Sequence, residues 1–140
     1  RKSVLARATV VNWDGEVVYD KFVRPKERIT DFRTFVSGIK AKHLKDPRAL
    51  SVEDCQREVQ ALLRGKIVVG HALQNDFKVL SMRVAPAFVR DTASYRPFMK
   101  HHPENPNLKP RPQKLKAVAL QQLDWVIQDG EHDSGEDARA

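Results

Sequence analysis

Cysteine occurs once in these 140 residues, at Cys55. A single thiol excludes an intrachain disulfide and points to a reducing, intracellular setting. Aromatic residues make up only 7%, and no amphipathic helix shows a spare apolar stripe, so a small protein–protein adaptor finds little support. No apolar run approaches the roughly 20 residues of a membrane span. No charged-then-apolar signal segment opens the chain. The first residue is Arg1 rather than Met, and an alternating pattern begins at once, as it would in the middle of a longer chain. What remains is 41% hydrophobic and 31% charged, the composition of a folded rather than a disordered chain. The length suits one domain, residues 1–140.

The charge is unevenly placed. The net charge is +7, yet Asp129, Glu131, Asp133, Glu136 and Asp137 crowd the last twelve residues against Arg139 alone. Residues 1–128 are left with 24 Lys+Arg and 13 Asp+Glu, a formal +11. A basic body attracts polyanions, nucleic acid above all, although simple solubility accounts for charge equally well. An acidic cluster on a basic body is also what a metal-dependent nuclease needs: bases hold phosphate, and acids hold the cation that offsets its charge.

The chain opens with two β-rich stretches, Ser3–Trp13 and Glu16–Val23, around Asp14-Gly15. That dipeptide predicts an antiparallel hairpin closed by a type I′ turn, with φ > 0 at both positions. Residues 26–50 are mixed, with short helices expected around 31–36 and 40–45. Ser51 caps a helix that Asp54 supports and Gly65 ends, with Val52, Cys55, Val59, Leu62 and Leu63 on one face. Lys66–Ala72 has the continuous apolar run of a buried, parallel strand. Asn75 is placed to cap a helix through Leu80, and Val89–Thr92 forms a further short strand. Residues 97–112 form a Pro-, His- and Asn-rich loop, and Gln113–Leu123 a last amphipathic helix. Strands alternating with helices after an opening hairpin predict an α/β domain with a mixed sheet.

Two segments carry chemistry. In GHALQNDF a strand runs out through Gly70-His71 and a helix begins near Asn75, so Asp76 lies at the carboxyl end of a strand, where α/β folds bind ligands. Taken alone, Asp76 is more economically a carboxylate complementing a helix dipole. In GEHDSGEDARA, Ser134 is placed to cap a helix with Asp137 in its first turn and His132 just before it. Alone, that too is a helix cap beside an exposed histidine. Each segment nevertheless offers a carboxylate at a helix start after a His-bearing turn, about 60 residues apart.

VVGHALQNDFKVL, RDTASYRPF and IQDGEHDSGEDARA resemble the second and third motif regions of the His-containing DEDD-type 3′→5′ exonucleases. With SVLARATVVNWDGEVVYDKFVRP and TFVSGIKAKHL, nearly the whole chain resembles the RNA exonuclease 4 family. The resemblance implies a ribonuclease H-like fold and a site in which four carboxylates hold two Mg²⁺ or Mn²⁺ ions. It makes Asp76 the third carboxylate, Asp137 the fourth, and His132 the general base that takes a proton from the attacking water. It implies single-stranded RNA 3′ ends as partner, nucleoside monophosphate as product, and ribosomal RNA processing in the nucleus or nucleolus as setting. His71, Asn75, Lys109, Arg111, Lys114 and Lys116 are candidates to bind the substrate, the four basic residues by gripping phosphates.

The sequence also departs from that pattern. The family's first two carboxylates form an Asp-x-Glu on a strand ahead of the hairpin. Before Arg24 those letters occur only as Asp14-Gly15-Glu16, in the hairpin turn. The domain is therefore expected to be truncated at both ends, its final helix cut after one turn, and the 140-residue chain to have little or no nuclease activity. The alternative is a non-catalytic nucleic-acid-binding module in which the acids are caps.

Overall fold

The computed structural model describes residues 5–24, 47–105, 107–128 and 133–140. The helices expected around 31–36 and 40–45, and the general-base candidate His132, lie outside the described residues.

The hairpin is present as β1 (Arg7–Val11) and β2 (Val17–Arg24), antiparallel from Arg7 opposite Phe22 to Val11 opposite Val17. Its turn differs from the expectation. Of the two turn residues only Gly15 has positive φ, +79°. The Gly15 N–H donates to Asn12 O, and the Asn12 side-chain oxygen accepts from the N–H groups of both Asp14 and Glu16 at 3.0 Å. An asparagine two positions before the dipeptide thus organises a longer turn that needs one left-handed residue instead of two.

Beside β2 runs β3 (Leu50–Ser51), parallel, with Val23 opposite Leu50. Ser51 then caps α1 (Val52–Leu63), its hydroxyl accepting from Asp54 N at 3.2 Å. Gly65, at φ +69°, follows the helix end as expected. Cys55 and Val59 on α1 are buried with Val23, Leu5 and Leu80, and this cluster is the core of the hairpin side. Burial pushes the Cys55 thiol up, against a hydrogen bond with Tyr19 that pulls it down. Cys55 should therefore resist thiol reagents in the native state and react at the rate of a free thiol once the chain is unfolded in urea. Equal labelling rates with and without urea would place Cys55 outside the core.

The second unit is β4 (Val68–Gly70), parallel to β5 (Val89–Asp91) with Val68 opposite Val89. Between them lie α2 (Leu73–Val79) and a 3₁₀ turn at Pro86–Phe88. The expected α/β architecture is realised as a three-stranded mixed sheet, β1-β2-β3, and a two-stranded parallel sheet, β4-β5, among the described residues. That division corrects one expectation. The apolar run of β4 is buried only at Val68, whereas Ile67 and Val69 are 57% and 65% exposed. A two-stranded sheet covered on one side leaves alternate residues open.

After β5 come a 3₁₀ turn at Arg96–Phe98, an isolated antiparallel bridge between Lys100 and Arg111, α3 (Leu115–Leu123) and α4 (Ser134–Arg139). α1 joins the two units through its polar face: Gln56 Nε2 donates to Val79 O at 3.0 Å and Gln60 Nε2 to Leu80 O at 2.9 Å. No helix among the described residues is long and apolar enough to cross a membrane.

Candidate active site

The carboxyl end of β4 is built for close approach. A Cβ on Gly70 would overlap the Leu73 side chain, which would have to move, so glycine suits the close approach of Leu73 at this strand end. Ala72 takes up the reversal at φ 59°, ψ 49°, a left-handed conformation that costs a non-glycine residue about 1–2 kcal/mol. The helix then starts at Leu73, two residues before the expected Asn75, which lies exposed inside α2.

What caps α2 comes from β5. Asp91 Oδ1 accepts from Ala72 N at 2.9 Å, and its Oδ2 accepts from Leu73 N at 3.0 Å. Oδ1 also accepts from Ala93 N at 2.9 Å. The amides at the start of α2 are thus served from another strand, where a side-chain cap at Asn75 was expected. The signal was available in the sequence: Gly70-His71-Ala72 offers no Ser, Thr, Asp or Asn immediately before the helix. Its orphan N–H groups therefore had to find an acceptor elsewhere in the fold.

Asp76 falls in the first turn of α2. Burial, and then repulsion from Asp91, hold its carboxyl above the ordinary carboxylate value. Its surface is nonetheless open to solvent, so water reaches the group while protein crowds it. Ionising Asp76 is therefore less favourable in the folded chain than in the unfolded one, and this cost sets in as pH rises through the carboxylate range. Asp76→Asn is expected to be more stable than the parent near neutral pH, with the gain closing below the ordinary carboxyl value of about 3.9. Urea unfolding at the two pH values checks this, and a gain that persists unchanged in acid would show a different cause.

The other carboxylate, Asp137, is mounted on the hairpin. α4 begins one residue earlier in its capping than expected: Asp133, not Ser134, is the cap, and its side chain accepts from Glu136 N at 2.9 Å. Ser134 instead shares a hydrogen bond with the Thr9 hydroxyl on β1. Arg7 ties the assembly together. Its guanidinium forks onto Asp20 with two bonds of 3.0 Å and reaches Asp133 at 3.5 Å. The hydrogen bond from Arg7, reinforced by its charge, holds the Asp20 carboxyl below its ordinary value. Arg139 Nε donates to Gly15 O at 3.2 Å across the hairpin turn. Asp137 is in the first turn of this helix, and its Oδ1 is shielded from solvent.

Asp76 and Asp137 offer hard oxygen donors, which suit Mg²⁺ or Mn²⁺. Among the described residues, however, no three His, Cys, Asp or Glu side chains come together to hold a metal ion.

Of the predicted substrate-binding residues, Lys109, Arg111, Lys114 and Lys116 lie on the segment between β5 and the first turn of α3, toward the solvent side. His71 is different. Its Nδ1 lies 2.8 Å from Thr92 Oγ1 and its Nε2 2.7 Å from Gln113 O. Both ring nitrogens are thus engaged within the chain.

The exonuclease family model RNase_T matches residues 2–140. RNA exonuclease 4 of Kluyveromyces lactis is 44% identical over 140 residues, covering 100% of this chain and 45% of the relative. RNA exonuclease 4 of Saccharomyces cerevisiae is 40% identical over 140 residues, covering 100% of this chain and 46% of the relative. The chain thus spans less than half the length of these relatives. Among solved structures, the Neurospora crassa Pan2 catalytic unit, with protease and nuclease domains, superposes with a TM-score of 0.78 at 30% identity. The match covers 96% of this chain and 22% of that one. The Saccharomyces cerevisiae Pan2 pseudoubiquitin hydrolase–RNA exonuclease module in complex with A7 RNA gives 0.77 at 32% identity, over 96% and 22% of the two chains.

Proposed function

Because this chain belongs to the exonuclease family RNase_T, we propose that it is the nucleolytic part of a 3′→5′ exonuclease acting on single-stranded RNA. The family match over residues 2–140 carries this reading. The position of Asp76, in a helix first turn at the carboxyl end of a strand, supports it. Exonucleases of this type generally use divalent metal ions. In the proposed reaction His132 takes the proton from water as it attacks the terminal phosphodiester. The bond to the 3′ oxygen of the penultimate nucleotide breaks, that oxygen takes up a proton from solvent, and a nucleoside monophosphate leaves. Asp76 and Asp137 are assigned as ligands for Mg²⁺ or Mn²⁺, whose charge would stabilise the transition state of the displacement. Ribosomal RNA precursors in the nucleus or nucleolus are the proposed substrate and place.

The test is digestion of 3′-labelled RNA with Mg²⁺. The 140-residue chain is expected to release little or no mononucleotide, since no Asp-x-Glu stands ahead of its hairpin. A chain extended ahead of Arg1 by an Asp-x-Glu strand is expected to digest the RNA, and Asp76→Ala to stop it. An extended chain that stays inert would count against the exonuclease reading.

The formal +11 of residues 1–128 favours a second reading, a nucleic-acid-binding module without catalysis. Such a module would bind RNA with a steep salt dependence and no requirement for a divalent cation.

A further inference from the structure

The hydrogen bonds of His71 reach across 42 residues of sequence and end on a basic arm. The carbonyl of Gln113 can only accept, so the Nε2 of His71 carries the proton of that 2.7 Å bond. On the other side, Nδ1 meets the Thr92 hydroxyl, which also lies 3.1 Å from Gly70 O. The Thr92 N–H donates to the same Gly70 carbonyl at 2.8 Å. His71 is thereby fixed to the strand end that launches α2, and through it to the turn that carries Asp76.

The far end of the link is equally well held. Gln113 Nε2 donates to Phe98 O at 2.9 Å. Gln113 and Gln121 also exchange reciprocal amide bonds of 3.2 Å. Between Phe98 and Gln113, Lys100 and Arg111 exchange two backbone hydrogen bonds of 2.8 and 3.0 Å. Residues 98–113 are thus a closed arm whose base is hung on His71. The arm and its flanks are strongly basic: residues 96–116 contain Arg96, Lys100, Lys109, Arg111, Lys114 and Lys116 against Glu104 alone.

The geometry points to His71 as a positioning residue. It anchors the basic arm to the carboxyl end of β4, so that RNA phosphates gripped by the arm are held in register with Asp76. This rests on the reading of the chain as an RNA-binding nuclease domain. A free arm would still attract RNA by charge. A tethered arm lines up its cations along one strand and loses less order on binding, so several phosphates are neutralised together.

The experiment measures binding of 5′-fluorescein single-stranded RNA to the 140-residue chain by anisotropy in EDTA, over a salt series. His71→Ala is expected to weaken binding about tenfold. It should also flatten the slope of log affinity against log salt by about 0.7 for each phosphate that the arm no longer neutralises. His71→Gln keeps an N–H for Gln113 O and is expected to bind within about twofold of the parent. Val59→Ala, a core change, should lower the melting temperature and leave both affinity and slope alone. Should His71→Ala melt below the assay temperature, Thr92→Val removes one anchor of the same ring and should weaken binding about threefold.

Arg111→Ala with Lys114→Ala tests the premise separately. If that double variant binds like the parent, the arm does not grip RNA, and the proposal falls with its premise. If the double variant is weakened while His71→Ala and Thr92→Val keep parental affinity and slope, the proposal alone is overturned. A His71→Gln variant as weak as His71→Ala, or a Val59→Ala variant that loses affinity in step with stability, would likewise overturn it. Either result would make the effect one of general destabilisation.

Discussion

Asp91→Ala should lower the stability of the chain by about 3 kcal/mol, more than a typical surface change. Three backbone N–H groups, of Ala72, Leu73 and Ala93, donate to this one carboxylate at 2.9–3.0 Å. Hydrogen bonds to a charged group contribute about 1.5–3 kcal/mol each, and in a half-exposed setting water replaces part of that. The loss is concentrated where the backbone is already strained, since Ala72 sits at φ 59°. For a chain of this length the unfolding entropy is roughly 0.3 kcal/mol/K, so the melting temperature should fall by about 10 °C. Asp91→Asn is expected to fall between the parent and the alanine variant. Its carbonyl oxygen can keep the amides of Ala72 and Ala93, but its amide nitrogen would face the Leu73 N–H, donor against donor. Thermal melts followed by circular dichroism decide the order. An alanine variant within about one or two degrees of the parent would mean that water caps α2 as well as Asp91 does.

Asp91 also shows where the sequence stops being legible. Ser51, Asp54 and Gly65 describe their helix correctly because each acts within a few residues of the end it marks, and the structure returns both the cap and the left-handed glycine. The strands of the hairpin were readable for the same reason. The elements that escaped are the ones made at a distance. The cap of α2 lies 18 and 19 residues further along the chain. The two-residue strand β3 exists only by pairing with β2 across 27 positions, Val23 with Leu50. At α4, Asp133 and Ser134 are adjacent and chemically equivalent candidates. The choice falls on Asp133 because Thr9 takes the serine hydroxyl and Arg7 the aspartate. The site divides along the same line. The first-turn positions of Asp76 and Asp137 were legible because a carboxylate at a helix start is a local pattern. The tie from His71 to Gln113 was not, because nothing in the histidine's own neighbourhood says that a carbonyl 42 residues away will accept from it.

The proposed reaction gives His132 the role of base, and the residue's described neighbours bear on a test of it. The residue after it, Asp133, is fixed twice: its carboxylate caps α4 through Glu136 N and meets Arg7 on β1. Asp137 follows in the same short helix. A general base contributes about 10²–10⁴-fold to a rate. In a chain extended by an Asp-x-Glu strand, His132→Ala is therefore expected to lower turnover on RNA by that order while leaving RNA affinity within about twofold. The pH dependence should change with it. The extended parent should lose rate on the acid side, because a protonated imidazole accepts no proton. The alanine variant should have no such limb. Single-turnover rates across pH, paired with binding measured in EDTA, separate the two quantities. If His132→Ala lost affinity and rate by the same factor, the histidine would be a group that holds substrate, and the base would have to be sought elsewhere.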